Sequence, residues 1–220
     1  MRSLIVTLML ASLVLPAGAS EFCGGNGVMT LSFTPLPDIT STTSMKADDN
    51  GLVMVDVYLS LGDVHPAEGP GGVMLALGGF ECELRVTGAE PLSVQKKILV
   101  PHRDFGQRPT QVWVGVSTAG ERVDKGPLAL VKWTVMFQGR PENVRFDLDP
   151  AGLLSCSNYP CCGDAGTTGI YVGAIDVAQE GFLFGTGCAP AYLNPVGEPD
   201  LAVVPCTLGV DEAGVFKLRK

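Results

Sequence analysis

The clearest pattern along the chain is alternation with a period of two. Val53, Val55, Val57 and Leu59 line one side of a segment whose other side carries Asp56 and Ser60. Phe80, Cys82, Leu84 and Val86 repeat the arrangement against Glu81, Glu83 and Arg85, and Val131, Trp133, Val135 and Phe137 against Lys132 and Thr134. Val112, Val114 and Val116 make a further face, and Val144, Phe146 and Leu148 a shorter one. Successive side chains of a strand point to opposite faces, so apolar-in, polar-out alternation marks a half-buried strand. Segments 28–33, 92–100, 169–175 and 201–206 add candidates and bring the expected count to eight or nine strands. Turn residues punctuate them: Asp48-Asp49-Asn50-Gly51 and Asn26-Gly27 each precede a strand. No stretch beyond the first twenty residues carries a helical stripe of three turns. Many strands without crossover helices predict an all-β fold, an antiparallel sandwich or jelly roll.

The N-terminus breaks this pattern. Arg2 is followed by an apolar run from Leu4 to Leu15, then Pro16 and the small residues Ala17-Gly18-Ala19. That order is the signature of an export signal, with cleavage expected after Ala19. Twelve or so apolar residues are too few to span about 30 Å of hydrocarbon as a helix. Cys23 follows Ser20-Glu21-Phe22, which excludes a lipid-modified cysteine at the cleavage point. The expected organisation is a signal peptide over 1–19 and one β-sandwich domain over 20–220, secreted or periplasmic, with no internal repeat and no linker. Composition agrees, with 28 Gly and 16 Pro but only 17% charged residues, a mixture suited to strands and tight turns. The net charge of −8 becomes one unit more negative once Arg2 leaves, and disfavours nucleic acid and anionic lipid as partners.

Seven cysteines change the picture further: Cys23, Cys82, Cys156, Cys161, Cys162, Cys188 and Cys206. In an exported chain the expectation is disulfides, so the sandwich should be stapled, with one thiol left over from three bridges. Spacing leaves the connectivity open. Three segments look longer than turns need to be: 61–78, 101–110 and the cysteine-bearing 152–168.

Taken together, VDVYLSL (Val55–Leu61), GGFECELRVTGAE (Gly78–Glu90) and GPLALVKWTVMF (Gly126–Phe137) resemble the strands of a cohesin-type sandwich or a related secreted bacterial module. Trp133 takes the aromatic position of the last of these strands. The resemblance covers roughly 80 residues as a packing pattern and contains no invariant chemical motif. It implies a non-catalytic module that offers a sheet face to a protein partner, or a related role in binding carbohydrate. The cysteines and the long cysteine-bearing segment depart from it, and no binding residue carries over.

Candidate chemistry is sparse. Histidine occurs only as His65 and His102, and His102-Arg103-Asp104 lies in an expected loop with no Gly-x-Ser-x-Gly elbow to accompany it. Cys156, Cys161, Cys162 and Cys188 approach zinc spacing, but disulfides take precedence in an oxidising compartment. Glu81 and Glu83, two apart on a strand, share a face with Arg85 and read as a solvated charge row. Paired carboxylates for glycan hydrolysis would need opposed environments. Asp147-Leu148-Asp149 and Asp48-Asp49-Asn50 cluster oxygen ligands for calcium, but neither fits the twelve-residue calcium loop, and turn duty is the expected role. Gly185-Thr186-Gly187 and Gly69-Pro70-Gly71-Gly72 lack the context of a phosphate cradle and read as turns. Trp133 is expected in the core, and Trp113 is the outward-facing aromatic. The reading is therefore a secreted, non-catalytic binding or structural module without a cofactor, calcium being the single candidate. Its expected partner is another secreted or envelope protein, or a glycan; an extracellular glycan-acting hydrolase is the alternative.

Overall fold

The computed structural model of the chain describes residues 25–66, 75–116, 127–149, 169–174, 182–205, 209–210 and 216–217. The described residues hold strands and no helix. In chain order the strands are β1 (Gly25–Ser32), β2 (Thr42–Thr43), β3 (Leu52–Pro66), β4 (Leu75–Thr87), β5 (Ser93–Ile98), β6 (His102–Asp104), β7 (Gln111–Val116) and β8 (Leu128–Gln138). They continue with β9 (Val144–Asp149), β10 (Gly169–Ala174), β11 (Phe182–Ala189), β12 (Ala191–Leu193), β13 (Val204–Pro205), β14 (Gly209–Val210) and β15 (Phe216–Lys217). The proposed signal, its cleavage point at Ala19 and Cys23 lie outside the described residues.

All but β14 and β15 belong to one sheet, which folds over on itself into two layers. Layer one runs β5–β8–β3–β1–β11. Layer two runs β2–β12–β9–β4, with β7 on the other edge of β4 and β6 beyond it. Strand β10 joins the layers by pairing β4 on one edge and β11 on the other. The chain changes layer at nearly every connection, as in a jelly roll. Alternation drives this closure: Val53, Val55, Val57, Leu59 and Leu61 of β3 are all buried, while Met54 between them is 63% exposed. Each such side chain contributes roughly 1.5–3 kcal/mol when fully removed from water. The layers meet through Phe137 of β8, set edge-on to Phe146 of β9 with centroids 6.3 Å apart. Trp133 is fully buried between them.

Several expectations need correction. The sheet is mixed: β1 pairs β11 in parallel, as does β2 with β12. The strands outnumber the expected eight or nine, because β2, β6, β11, β12, β14 and β15 carry no readable alternation. Gly185-Thr186-Gly187 is no turn; it lies in β11 between β1 and β10, with Gly185 opposite both Asn26 and Gly169. Residues 61–66 and 75–78 extend β3 and β4, so most of the expected loop over 61–78 is strand. Likewise 101–110 contains β6 and is the arm of a hairpin with β7. Asp48 behaves as expected of a turn residue, its carboxylate accepting the Asn50 and Leu52 amides at 2.9 Å each beside Gly51 at φ +73°. The Leu52 amide chiefly holds its carboxyl below the ordinary value, with Asn50 helping, against the cost of desolvation.

Two features shape the edges of layer two. Strands β9 and β10 lie end to end on one edge of β4: Asp149 is opposite Glu83, and Gly169 is opposite Glu81. They therefore form one interrupted strand, with Asp149 and Gly169 two residues apart along β4. On the open side of the sandwich, Lys96 of β5 reaches across to the β6–β7 hairpin. Its ammonium pairs with Asp104 at 2.7 Å and donates to the Gln111 and Arg108 carbonyls. Trp133 adds a second tie, its indole Nε1 donating to the Pro109 carbonyl at 3.2 Å.

Cys82 is a free thiol with no exposed surface, which removes it from the disulfide candidates. Its strand position sends it into the core, where burial, with the Glu81 charge adding, pushes the thiol far above its ordinary value. Cys188 is disulfide-bonded. Cys156, Cys161, Cys162 and Cys206 also fall outside them.

Candidate binding face

The outer face of layer two gathers most of the charged and aromatic residues singled out in the sequence. Strand alternation puts Glu81, Glu83 and Arg85 of β4 there, because Phe80, Cys82 and Leu84 fill the core. The ladders then set their neighbours. Trp113 lies across from Glu81, Gln111 and Asp149 flank Glu83, and Asp147 lies across from Arg85. At the end of the row Arg145 faces Thr87 on one side and Tyr192 on the other.

Opposite charges alternate along this lattice. Arg108 pairs with Glu83 at 2.7 Å, and Thr110 donates to the other oxygen of the same carboxylate at 3.0 Å. Arg85 bridges Asp147 at 3.2 Å and Asp149 at 3.1 Å. Arg145 grips Asp147 from its other side at 2.9 Å, with its guanidinium 5.7 Å from the Tyr192 ring centre. Partial burial works against the Arg145 cation, but the Asp147 hydrogen bond and charge outweigh it and hold the group above its ordinary value. The oxygens proposed for calcium at Asp147 and Asp149 thus face guanidinium groups.

The solvated row is corrected at one position. Glu81 has no exposed surface, whereas the Glu83 side chain keeps 21% and Arg85 49%. A carboxylate with no open surface cannot reach a glycosidic oxygen, and Glu83 is held in an ion pair. Glu81 and Glu83 therefore lack the arrangement of an acid and base flanking a substrate. His102 lies in strand β6 and not in a loop, and Asp104, two residues on, is committed to Lys96. His65 lies in β3, paired with Asn26 of β1.

At the β6 edge the face becomes aromatic. Phe105 follows β6, with its amide bonded to the Trp113 carbonyl at 2.7 Å. Its ring stands 5.2 Å from Trp113 at an angle of 47°, and the Arg103 guanidinium lies 5.4 Å from its centre. Gly115 lies under it, and a Cβ there would meet the ring at an ordinary contact distance of 3.7 Å. Phe105 remains 44% exposed. Trp113 was legible as an outward aromatic; Arg103 was read only as part of His102-Arg103-Asp104 in a loop and Phe105 was not singled out, because the alternation of the short β6 edge is too brief to reveal them.

Layer one presents a different outer face. Lys132 and Thr134 both bond the Asp56 carboxylate, which holds the Lys132 ammonium above its ordinary value. Beside them lies a shallow hollow of about 290 Å³ lined by Phe33, Thr43, Met45, Met54, Val55 and Asp56.

No family model matches the chain, and no curated protein matches it. In structure it is similar to the seventh ScaB type I cohesin from Pseudobacteroides cellulosolvens, at a TM-score of 0.39 and 10% identity over 81% of this chain and 96% of that one. It is also similar to the cohesin module of a family 33 glycoside hydrolase from Clostridium perfringens, at 0.36 and 11% over 78% and 98%. A third is the sixth cohesin of scaffoldin B from Acetivibrio cellulolyticus, in complex with a dockerin, at 0.35 and 8% over 78% and 99%. The structural neighbours are cohesin modules, and a likeness at this distance transfers no binding residue to this chain.

Proposed function

We propose that the chain is an exported, non-catalytic binding module that presents the outer face of layer two to a protein partner. One observation carries the reading: four of the eight arginines of this acidic chain, Arg85, Arg103, Arg108 and Arg145, stand on that face. Arginine and aromatic side chains dominate the energetics of protein interfaces. Three of the four are fixed in ion pairs, so the surface is ordered before any partner arrives, which lowers the entropy cost of docking. The buried Glu81, the ion-paired Glu83 and the engaged Asp104 support the absence of catalysis.

The test is capture from the exported proteins of the native host on immobilised chain, repeated with two variants. Asp149→Arg disturbs the layer-two face, and Lys132→Glu disturbs layer one. A stoichiometric protein held by the wild type and by Lys132→Glu, but lost on Asp149→Arg, is the expected result. Loss on Lys132→Glu alone would move the site to layer one. Glycan hydrolysis abolished by Glu81→Gln or Glu83→Gln would replace the reading with an enzyme.

A further inference from the structure

Within the proposed protein-binding face, on which this inference rests, we propose that Arg103, Phe105 and Trp113 form a preorganised anchor for a partner's carboxylate flanked by an apolar side chain. Arg103 differs from its three neighbours on the face. Arg85, Arg108 and Arg145 each hold a carboxylate, while among the described residues no carboxylate pairs with Arg103. The acid nearest to it in sequence, Asp104, points to the opposite side of β6 and is held by Lys96. Its guanidinium lies instead against the exposed Phe105 ring, which in turn leans on Trp113.

The chemistry of the missing partner follows from these groups. A guanidinium stacked on a ring leaves its N–H edge free, and that edge matches a carboxylate bidentately. The 44% exposed Phe105 ring beside it is apolar surface that water covers poorly. One ligand feature satisfies both, namely an Asp or Glu next to an aliphatic or aromatic residue. A cation with no carboxylate partner among the described residues, on a molecule of net charge −8, also attracts acidic segments locally while the rest of the surface repels them, which favours one docking position. The support beneath is rigid. The Phe105 amide is bonded to Trp113, Gly106 donates its amide to Asp104 at 2.9 Å, and Lys96 ties the hairpin to layer one.

A random peptide library displayed on phage and selected on the intact exported chain tests this, with a parallel selection on Arg103→Ala. Arg103 is exposed and makes no ion pair among the described residues, so the variant should keep the wild-type circular dichroism and melting temperature. The expected result is enrichment of acidic residues adjacent to apolar ones on the wild type alone. A synthetic winner should bind Arg103→Ala about tenfold or more weakly and alter Trp113 fluorescence. Arg103→Lys should fall between them, because an ammonium keeps the charge but loses the fork. Winners that bind Arg103→Ala as tightly as wild type would overturn the anchor while leaving the protein-binding face standing. No peptide enrichment, combined with Arg103-dependent binding of polygalacturonate, would overturn both and identify an acidic glycan.

Discussion

Lys96 is the most demanding test of how the sandwich is held shut. Its side chain is 11% exposed and that of Asp104 21%, so their 2.7 Å pair is mostly sheltered from water. Replacing Lys96 with Met keeps the stem length and removes the charge. Hydrogen bonds to charged groups contribute about 1.5–3 kcal/mol each, and stripping one member from a fully buried pair costs about 3–5 kcal/mol. Asp104 would keep the Gly106 amide and some water, which lowers the expected cost to about 2–3 kcal/mol. For a chain of this size that corresponds to a fall of roughly 5–10 °C in Tm. Urea unfolding followed by the fluorescence of Trp113 and Trp133, with disulfides intact, reads the loss, and the cycle with Asp104→Asn isolates the pair. A coupling energy of about 1 kcal/mol or more is expected. Arg140→Ala is the control, because its 3.8 Å pair with Glu142 is 75% and 63% exposed and its removal should stay within about 0.5 kcal/mol. A coupling below about 0.3 kcal/mol would refute the latch, since independent sites already scatter by that much.

Gly106→Ala should loosen the same hairpin from within. A Cβ there would sit 2.5 Å from the Gln111 carbonyl and 3.0 Å from the Lys96 ammonium. Overpacking of this kind costs about 1–3 kcal/mol, and an unchanged melting curve would show that the loop is not tied down as described. Cys82 predicts an alkaline limit. The buried thiol keeps its proton above the ordinary value of 9.0, where an unfolded chain loses it. Stability from this residue is therefore full below that value and falls as pH rises through it, by about 1.4 kcal/mol per pH unit. Cys82→Ala should flatten that slope, and the native thiol should resist iodoacetamide until denaturant is added; prompt native alkylation would contradict the burial.

The long strands were legible because one of their faces is core and the other solvent, so period-two alternation survives in β3, β4, β7, β8 and β9. Trp133 and Trp113 could be assigned to opposite environments from their neighbours alone. What escaped was whatever depends on pairing. The Gly185-Thr186-Gly187 stretch has only the Thr186 side chain and so no alternation to read, yet ladders on both edges make it a strand. The burial of Glu81 is equally invisible, since alternation assigns a face and not its cover. Lys96 reads as a surface lysine on a polar strand until the hairpin it reaches is known. Arg103 was hidden in the same way, because the pairing of β6 sends Asp104 to the other face and leaves the guanidinium with no carboxylate among the described residues.

The interrupted strand along β4 has a consequence for how this protein can change. Asp149 and Gly169 occupy nearly adjacent rungs, so the ladder fixes where the nineteen residues 150–168 begin and end, and says nothing about their length. Closing such a segment costs about 2–3 kcal/mol of chain entropy, and doubling it adds only about 0.6 kcal/mol. Changes of length at this point therefore meet little resistance from chain closure. The edge of β4 acts as a fixed socket in which new sequence can be tried without moving the registers around it. A segment lengthened between those two rungs, with Cys156, Cys161 and Cys162 kept, should leave the sandwich standing.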